Sequence, residues 1–372
     1  FAQGVDFKVS PPLVGFRETI LDAFRRKDTS EGSKRTAYVT KSNTSSNFSI
    51  TVRAIPLPKC ISDALTEQKR ELDTLFRSAK TSGGHAERTK AAEGMICARE
   101  LIRKAILHQE KEKKEHGNAQ TGFGFWKRLD LSRIIALGPD RTGANVLVDV
   151  RKKGTEESIS HVSNAISTAF QMVMEKGPLC EEPMMGVALL IEDMKVDRKA
   201  GGSGSLLSSG QIIQTTRDAF REAILIREAR LIEPMYLVEL QCSETVLRRL
   251  YAVIGKRRGR IISEDLREGT QTFIVKCYLP VERSFGFASS LRGRTSGMAS
   301  PQLMFSHWEI IPEDPFFVPV TDEEKEEFGS AAVLKANLAR TLVDGVRKRK
   351  GLAVQELIVQ HAEKQRTLAR KK

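Results

Sequence analysis

Apolar and polar positions alternate through Phe48-Ser-Ile-Thr-Val52, with Phe48, Ile50 and Val52 on one side and Ser49 and Thr51 on the other. This period of two predicts a half-buried strand, closed by Pro56 and Pro58. Val5, Phe7 and Val9 alternate in the same way and run into Pro11-Pro12, after which Leu13, Val14 and Phe16 read as extended. From Ile61 the period lengthens. Ile61, Leu65, Leu72, Leu75, Phe76 and Ala79 fall at helical spacing, Gly83-Gly84 interrupts, and Ala91, Met95, Ala98, Ile102, Ala105 and Ile106 resume. A two-helix hairpin over 61–116 is predicted, its charge-rich end reading as a frayed helix in water.

Beyond the turn at Gly138-Pro139-Asp140, Val146, Val148 and Val150 predict a strand, and 162–174 a helix closed by Gly177-Pro178. A buried strand at 187–191, a Gly/Ser-rich loop at 199–210 and a helix at 211–229 follow. The next segment has the clearest pattern: strand 235–241, helix from Ser243, strand 260–263, turn at Gly269, strand 272–279, helix 284–291 and strand 303–311. That order, βαββαβ, is the ferredoxin-like arrangement, whose helices cover one sheet face and leave the other free. Pro312, Pro315 and Pro319 lead out to two predicted helices at 331–350 and 352–370. The fold class expected is α+β.

Sixty Lys and Arg against 47 Asp and Glu leave +13 on 372 residues, which favours a polyanionic partner such as RNA or an anionic membrane surface. The last 38 positions hold 11 basic and 3 acidic residues, so +8 of that charge lies there. The longest strongly apolar stretch is 183–191, far short of the roughly 18 residues a bilayer span needs. Five Cys, an odd number with no CxxC pair, point to a reducing compartment. The chain begins at Phe1 with no signal peptide in view, and we expect it to be a piece of a longer protein.

No catalytic constellation is evident. A nucleotide triphosphatase needs GxxxxGK[ST], so that backbone N–H groups wrap the phosphates and a Lys reaches them. The nearest match, Gly138-Pro-Asp-Arg-Thr-Gly143, continues as Ala144-Asn145, and NKxD does not occur. The chain is therefore expected to lack catalysis of its own. The six His show no metal-binding spacing, so no metal site is expected. His307 reads as a packed histidine and Cys180 as a small buried thiol.

The candidate functional residues are cationic. Lys256, Arg257, Arg258 and Arg260 surround Gly259 between a helix and a strand; Arg292 and Arg294 flank Gly293; Arg347, Lys348, Arg349 and Lys350 end a helix. Such residues grip phosphates, and they also complement helix C-termini. Phe123, Phe125 and Trp126 read as core anchors ahead of base-stacking residues.

Collinear motifs over nearly the whole chain resemble the elongation factor 2 and elongation factor G family. They are Gly138-Pro-Asp-Arg-Thr-Gly-Ala-Asn-Val-Leu147, Gly177-Pro-Leu-Cys-Glu-Glu182, Gly210-Gln-Ile-Ile213, Arg230-Leu-Ile-Glu-Pro-Met-Tyr236, Lys256-Arg-Arg-Gly259, Tyr278-Leu-Pro-Val281, Ser284-Phe-Gly-Phe287 and Arg347-Lys-Arg-Lys-Gly-Leu352. Ser296-Gly-Met-Ala-Ser-Pro-Gln302, 305–316, 361–368 and the inserted helical pair are similar to the ribosome-assembly GTPases of that family. The resemblance implies that 1–10 is the last strand of domain III and 11–231 a ribosomal-protein-S5-like domain IV with the insertion at about 61–116. It further implies that 232–311 is a ferredoxin-like domain V and that 312–372 forms helices returning to domain IV. GTP and Mg2+ would belong to a GTPase domain upstream. The implied setting is cytoplasmic, with no membrane partner. The implied partners are the 60S ribosomal subunit and its rRNA, the Shwachman–Bodian–Diamond syndrome protein, and initiation factor six, which is released from the subunit. Translocases of the family carry a histidine just before the Gln-Ile-Ile motif, whereas residues 193–215 hold none. An elongation factor 2-type translocase or a spliceosomal relative is the alternative within the family. A small-ligand regulatory module is the alternative outside it.

Overall fold

The computed structural model describes residues 12–24, 38–43, 47–82, 85–116, 123–151, 162–196, 208–267, 269–317, 319, 322–328 and 337–354. The strand expected at 5–9, most of the 199–210 loop and all of the helix expected at 352–370 except 352–354, which are not helical, lie outside them. Two five-stranded sheets organise the described residues.

β1 (Arg17–Phe24) belongs to the second sheet. The first contains β2 (Val39–Ser42) and β3 (Phe48–Pro56), the latter keeping its alternation of buried and half-buried positions. Helices α1 (Lys59–Glu67), α2 (Lys69–Ser82) and α3 (His85–His116) come next, then α4 (Phe123–Arg128). The hairpin expected over 61–116 is therefore three helices, since the chain breaks at Gln68 before α2 and α3 pair. β4 (Ile134–Gly138) and β5 (Asn145–Asp149) flank the tight turn, α5 (Ser163–Glu175) follows, and β6 (Val187–Val196) completes the sheet. Its order is β2-β3-β6-β5-β4, with only the β5–β6 pair parallel. Apolar residues cover both faces. Phe170 and Phe220, from α5 and from α6 (Ser209–Ile226), pack on one; Leu72, Phe76, Ile102 and Trp126 close the other.

β7 (Arg227–Ser243) is 17 residues long and begins where a helix was expected to continue to 229. Arg-Glu-Ala suits a helix, but pairing with β1, Phe24 opposite Arg227 and Ile20 opposite Ala229, overrides that weak preference. After α7 (Leu247–Lys256) come β8 (Arg260–Leu266) and β9 (Thr272–Pro280). The helix expected over 284–291 is divided into α8 (Val281–Ser284) and α9 (Phe287–Thr295), because Gly286 turns at φ 67°. β10 (Ser300–Ile310) ends the sheet, and the described exit helices are α10 (Asp322–Phe328) and α11 (Leu338–Lys350). From β7 onward the strands order β10-β7-β9-β8, all antiparallel. Val238, Leu240, Val275, Cys277 and Leu279 face α7 and α9, burying Leu250, Ile254, Phe287 and Leu291. The chain is thus a mixed α/β protein.

Candidate ribosome-facing surface

α7 buries Leu250, Val253 and Ile254 along one stripe and leaves Arg248, Arg249 and Lys256 exposed. Its exit is tightly built. The Gly259 N–H donates to Ile254 O at 3.0 Å, and a Cβ on Gly259 would stand 2.4 Å from Ile254 Cγ2. Arg258 sits at φ 60°, the left-handed region. The four cations of this connection consequently go separate ways.

Arg257 turns inward. It donates to Arg283 O at 2.5 Å, Phe285 O at 2.8 Å and Gly286 O at 3.2 Å, and lies 5.7 Å from the Phe287 ring centroid. The guanidinium thus holds the kink between α8 and α9. Arg258 makes a two-point ion pair with the nearly buried Glu233. Burial pushes the Glu233 carboxyl up, against the pull of Arg258. Arg260 crosses to the sheet face opposite the helices, pairing with Glu309 at 3.1 Å and lying over Tyr278. Only Lys256 of the four faces outward beside α7.

Arg292 and Arg294 are both exposed in the last turn of α9. A groove of about 390 Å³ is lined by Lys256, Arg257, Arg283 and Arg294 with Val253, Phe285, Ser290 and one carboxylate, Glu282. Lys256 and Arg294, far apart in sequence, are thereby brought together. Arg248, Arg249 and Arg283 were missed in the sequence reading. Their signal was available: Arg248-Arg249 falls opposite the apolar stripe of α7.

The third cluster divides as well. Arg347 donates to Leu179 O and, at 2.8 Å, to Ala353 O; Lys350 reaches Glu181 O at 2.6 Å and Glu182 at 2.8 Å. Both fasten α11 to the loop at 177–182. Lys348 and Arg349 are exposed. That loop is also organised from below by Glu18, which is fully buried and accepts the N–H groups of Leu179, Cys180 and Glu182 at 2.8–3.0 Å.

The remaining candidates are structural. Cys180 is buried, and desolvation beside Glu18 pushes its thiol up, away from a nucleophilic thiolate. Trp126 is 1% exposed, in the core. His307 is half-exposed, bonded to Ser306 and edge-on to Tyr278. The Gly138–Gly143 turn is packed in place: Thr142 Oγ1 donates to Asp73 at 2.7 Å and Asn145 Nδ2 to Gly138 O at 2.9 Å. Among the described residues no group of His, Cys, Asp or Glu has the arrangement to hold a metal ion. No described helix is long and apolar enough to cross a membrane.

Residues 97–226 match the family model of elongation factor G domain IV, and residues 230–318 match that of the elongation factor G C-terminus. The human protein named Elongation factor-like GTPase 1 is 33% identical over 392 aligned residues, covering 87% of this chain. Ribosome assembly protein 1 of Schizosaccharomyces pombe is 33% identical over 98% of the chain, and its Saccharomyces cerevisiae namesake 31% over 98%. The chain spans only 33% to 37% of the length of these curated relatives. With β4, β5 and β6 inside the first matched segment and β8, β9 and β10 inside the second, the chain belongs to the elongation factor G family, with homologues among the ribosome-assembly GTPases.

Proposed function

We propose that this chain is the ribosome-binding C-terminal part of a translational-type GTPase acting in cytoplasmic maturation of the 60S subunit. In this reading the intact protein, working with the Shwachman–Bodian–Diamond syndrome protein, promotes release of initiation factor six, while GTP and Mg2+ are bound upstream of Phe1. Residues 1–10 close domain III, 11–231 form an S5-like domain IV carrying the helical insertion, and 232–311 form a ferredoxin-like domain V. Residues 312–372 return to domain IV. The strand order β10-β7-β9-β8 with two helices on one face supports the ferredoxin-like assignment.

One observation carries the ribosomal reading. The outward cations Arg248, Arg249, Lys256, Arg292 and Arg294 stand on the two helices of one sheet face and, among the described residues, none is held in an ion pair, in contrast to Arg258. Such a surface meets a phosphate backbone through counterion release, which makes affinity fall steeply with salt. Binding of the chain to purified 60S subunits is expected to weaken with a log–log slope of about −0.7 to −0.9 per phosphate contact. Affinity indifferent to salt would remove the proposal. Intact protein truncated before residue 232 is expected to leave initiation factor six on the subunit.

A further inference from the structure

A second concavity lies on the opposite side of the C-terminal sheet from the basic helices. It is a cleft of about 550 Å³ between β1, α1 and the ends of β8 and β10. That volume is in the range of ligand sites, about 300–1,000 Å³. Ile20, Leu57, Ile232, Ile310 and the Trp308 indole give it apolar walls, and Asp22, Lys59 and Glu309 line it beside Asp63 and Arg260. Trp308 is a fixed wall, held by the Arg17 guanidinium 4.5 Å from its ring and by Phe305 at 5.8 Å.

The polar groups converge with separated characters. Thr19 and Ser62, both buried, line it near Gly186, whose φ of 73° calls for glycine. At the α1 side stands the Asp63 carboxylate, whose pKa burial raises against the pull of Lys59, which lines the cleft from the same helix. At the far side stands Arg260, whose ion pair with Glu309 is surface-exposed and therefore cheaply exchanged for another anion. His307 adds a second aromatic ring beside Tyr278.

An aromatic wall, a carboxylate to accept ring N–H groups and a cation at the other end complement a planar nitrogen heterocycle that carries an anionic group. We propose that this cleft binds a purine nucleotide unit, its base against Trp308 with N–H donors toward Asp63, and its phosphate on Arg260. Stacking on aromatic side chains and edge recognition by hydrogen bonds are how proteins take single unpaired nucleotides. Guanine, which presents adjacent N1–H and N2–H donors, is the base a carboxylate selects. The unit comes either as a free nucleotide or as an unpaired residue of RNA; the cleft chemistry is the same. This inference is independent of the ribosomal reading, since it uses the other sheet face.

The chain contains two tryptophans, and Trp126 is buried in the domain core, so the part of the emission that a bound nucleotide quenches, absent in Trp308→Phe, is that of Trp308. The full chain is titrated with GMP, with UMP, and with a short single-stranded G-rich RNA, exciting at the red edge of indole absorption. Saturable quenching by GMP, about tenfold stronger than by UMP, is expected if free nucleotide enters. Quenching by the RNA alone assigns the site to an unpaired ribonucleotide. Asp63→Asn and Arg260→Ala should each weaken the response about tenfold without moving the melting temperature, and Trp308→Phe should abolish it. Quenching by neither probe, or a response unaltered in both Asp63→Asn and Arg260→Ala, overturns the proposal.

Discussion

Arg258 grips Glu233 with both ends of its guanidinium, Nη2 to Oε2 at 2.7 Å and Nη1 to Oε1 at 3.3 Å. The pair ties the connection after α7 to the middle of β7. Glu233 is 8% exposed, so Arg258→Ala strands a carboxylate that has little access to water. A loss of about 3 kcal/mol is expected in denaturant unfolding. Pairing Arg258→Ala with Glu233→Gln should restore part of it, and full additivity of the two changes would show that the contact is not energetically coupled.

Lys256 and Arg294 differ from Arg257 in what they touch. Charge reversal at Lys256 or Arg294 is expected to weaken 60S binding and to reduce the salt slope by about one per contact, with unfolding unchanged. Arg257→Glu instead removes three donors from carbonyls of the α8–α9 kink and should lower the melting temperature. Sequence alone puts Arg257 and Arg258 on the same footing as Lys256. Both are tied into the fold, so the clean test lies at Lys256 and Arg294.

Glu18 carries a pH dependence. Desolvation raises its pKa above the ordinary 4.5, overcoming the three N–H groups that favour the carboxylate. A raised pKa means the folded state holds the proton more tightly than the unfolded chain. The associated stability is therefore full below 4.5 and is lost as pH rises through the folded value. Glu18→Gln turns an amide N–H₂ toward backbone donors and should cost about 2–3 kcal/mol. Melting curves should show the gap between wild type and Glu18→Gln widest below pH 4.5 and narrowing upward. A gap that widens toward neutrality would reverse the assignment.

Gly143 closes the turn after β4. A Cβ there would stand 2.2 Å from Gly138 O and 2.4 Å from Pro139 Cδ, both fixed atoms. Gly143→Ala is expected to destabilise by about 3 kcal/mol or more. Gly345→Ala in α11, with nothing within 4 Å of the new Cβ, is the control and should stabilise by up to about 1 kcal/mol. Both follow from equilibrium unfolding.

α7 and β9 were legible because each carries its own period, as Phe273, Val275, Cys277 and Leu279 do in β9. β4 was missed because Ile134–Gly138 has no alternation; it is an almost wholly buried run. β2 was missed because Val39–Ser42 holds one apolar residue. The start of β7 was misread because its residues favour a helix until β1 pairs with them. The cationic clusters were visible, but which cations look outward was not. That choice depends on carboxylates and carbonyls such as Glu233 and Phe285 O, which approach only after folding.

β7 runs unbroken from its pairing with β1 to its pairing with β9 and β10, about 55 Å at the usual rise per strand residue. The second matched segment, from residue 230, therefore begins inside a continuous girder. Load applied at α9 travels along hydrogen-bonded backbone into the sheet edge beside Glu18, so leaning the C-terminal segment requires twisting that strand throughout.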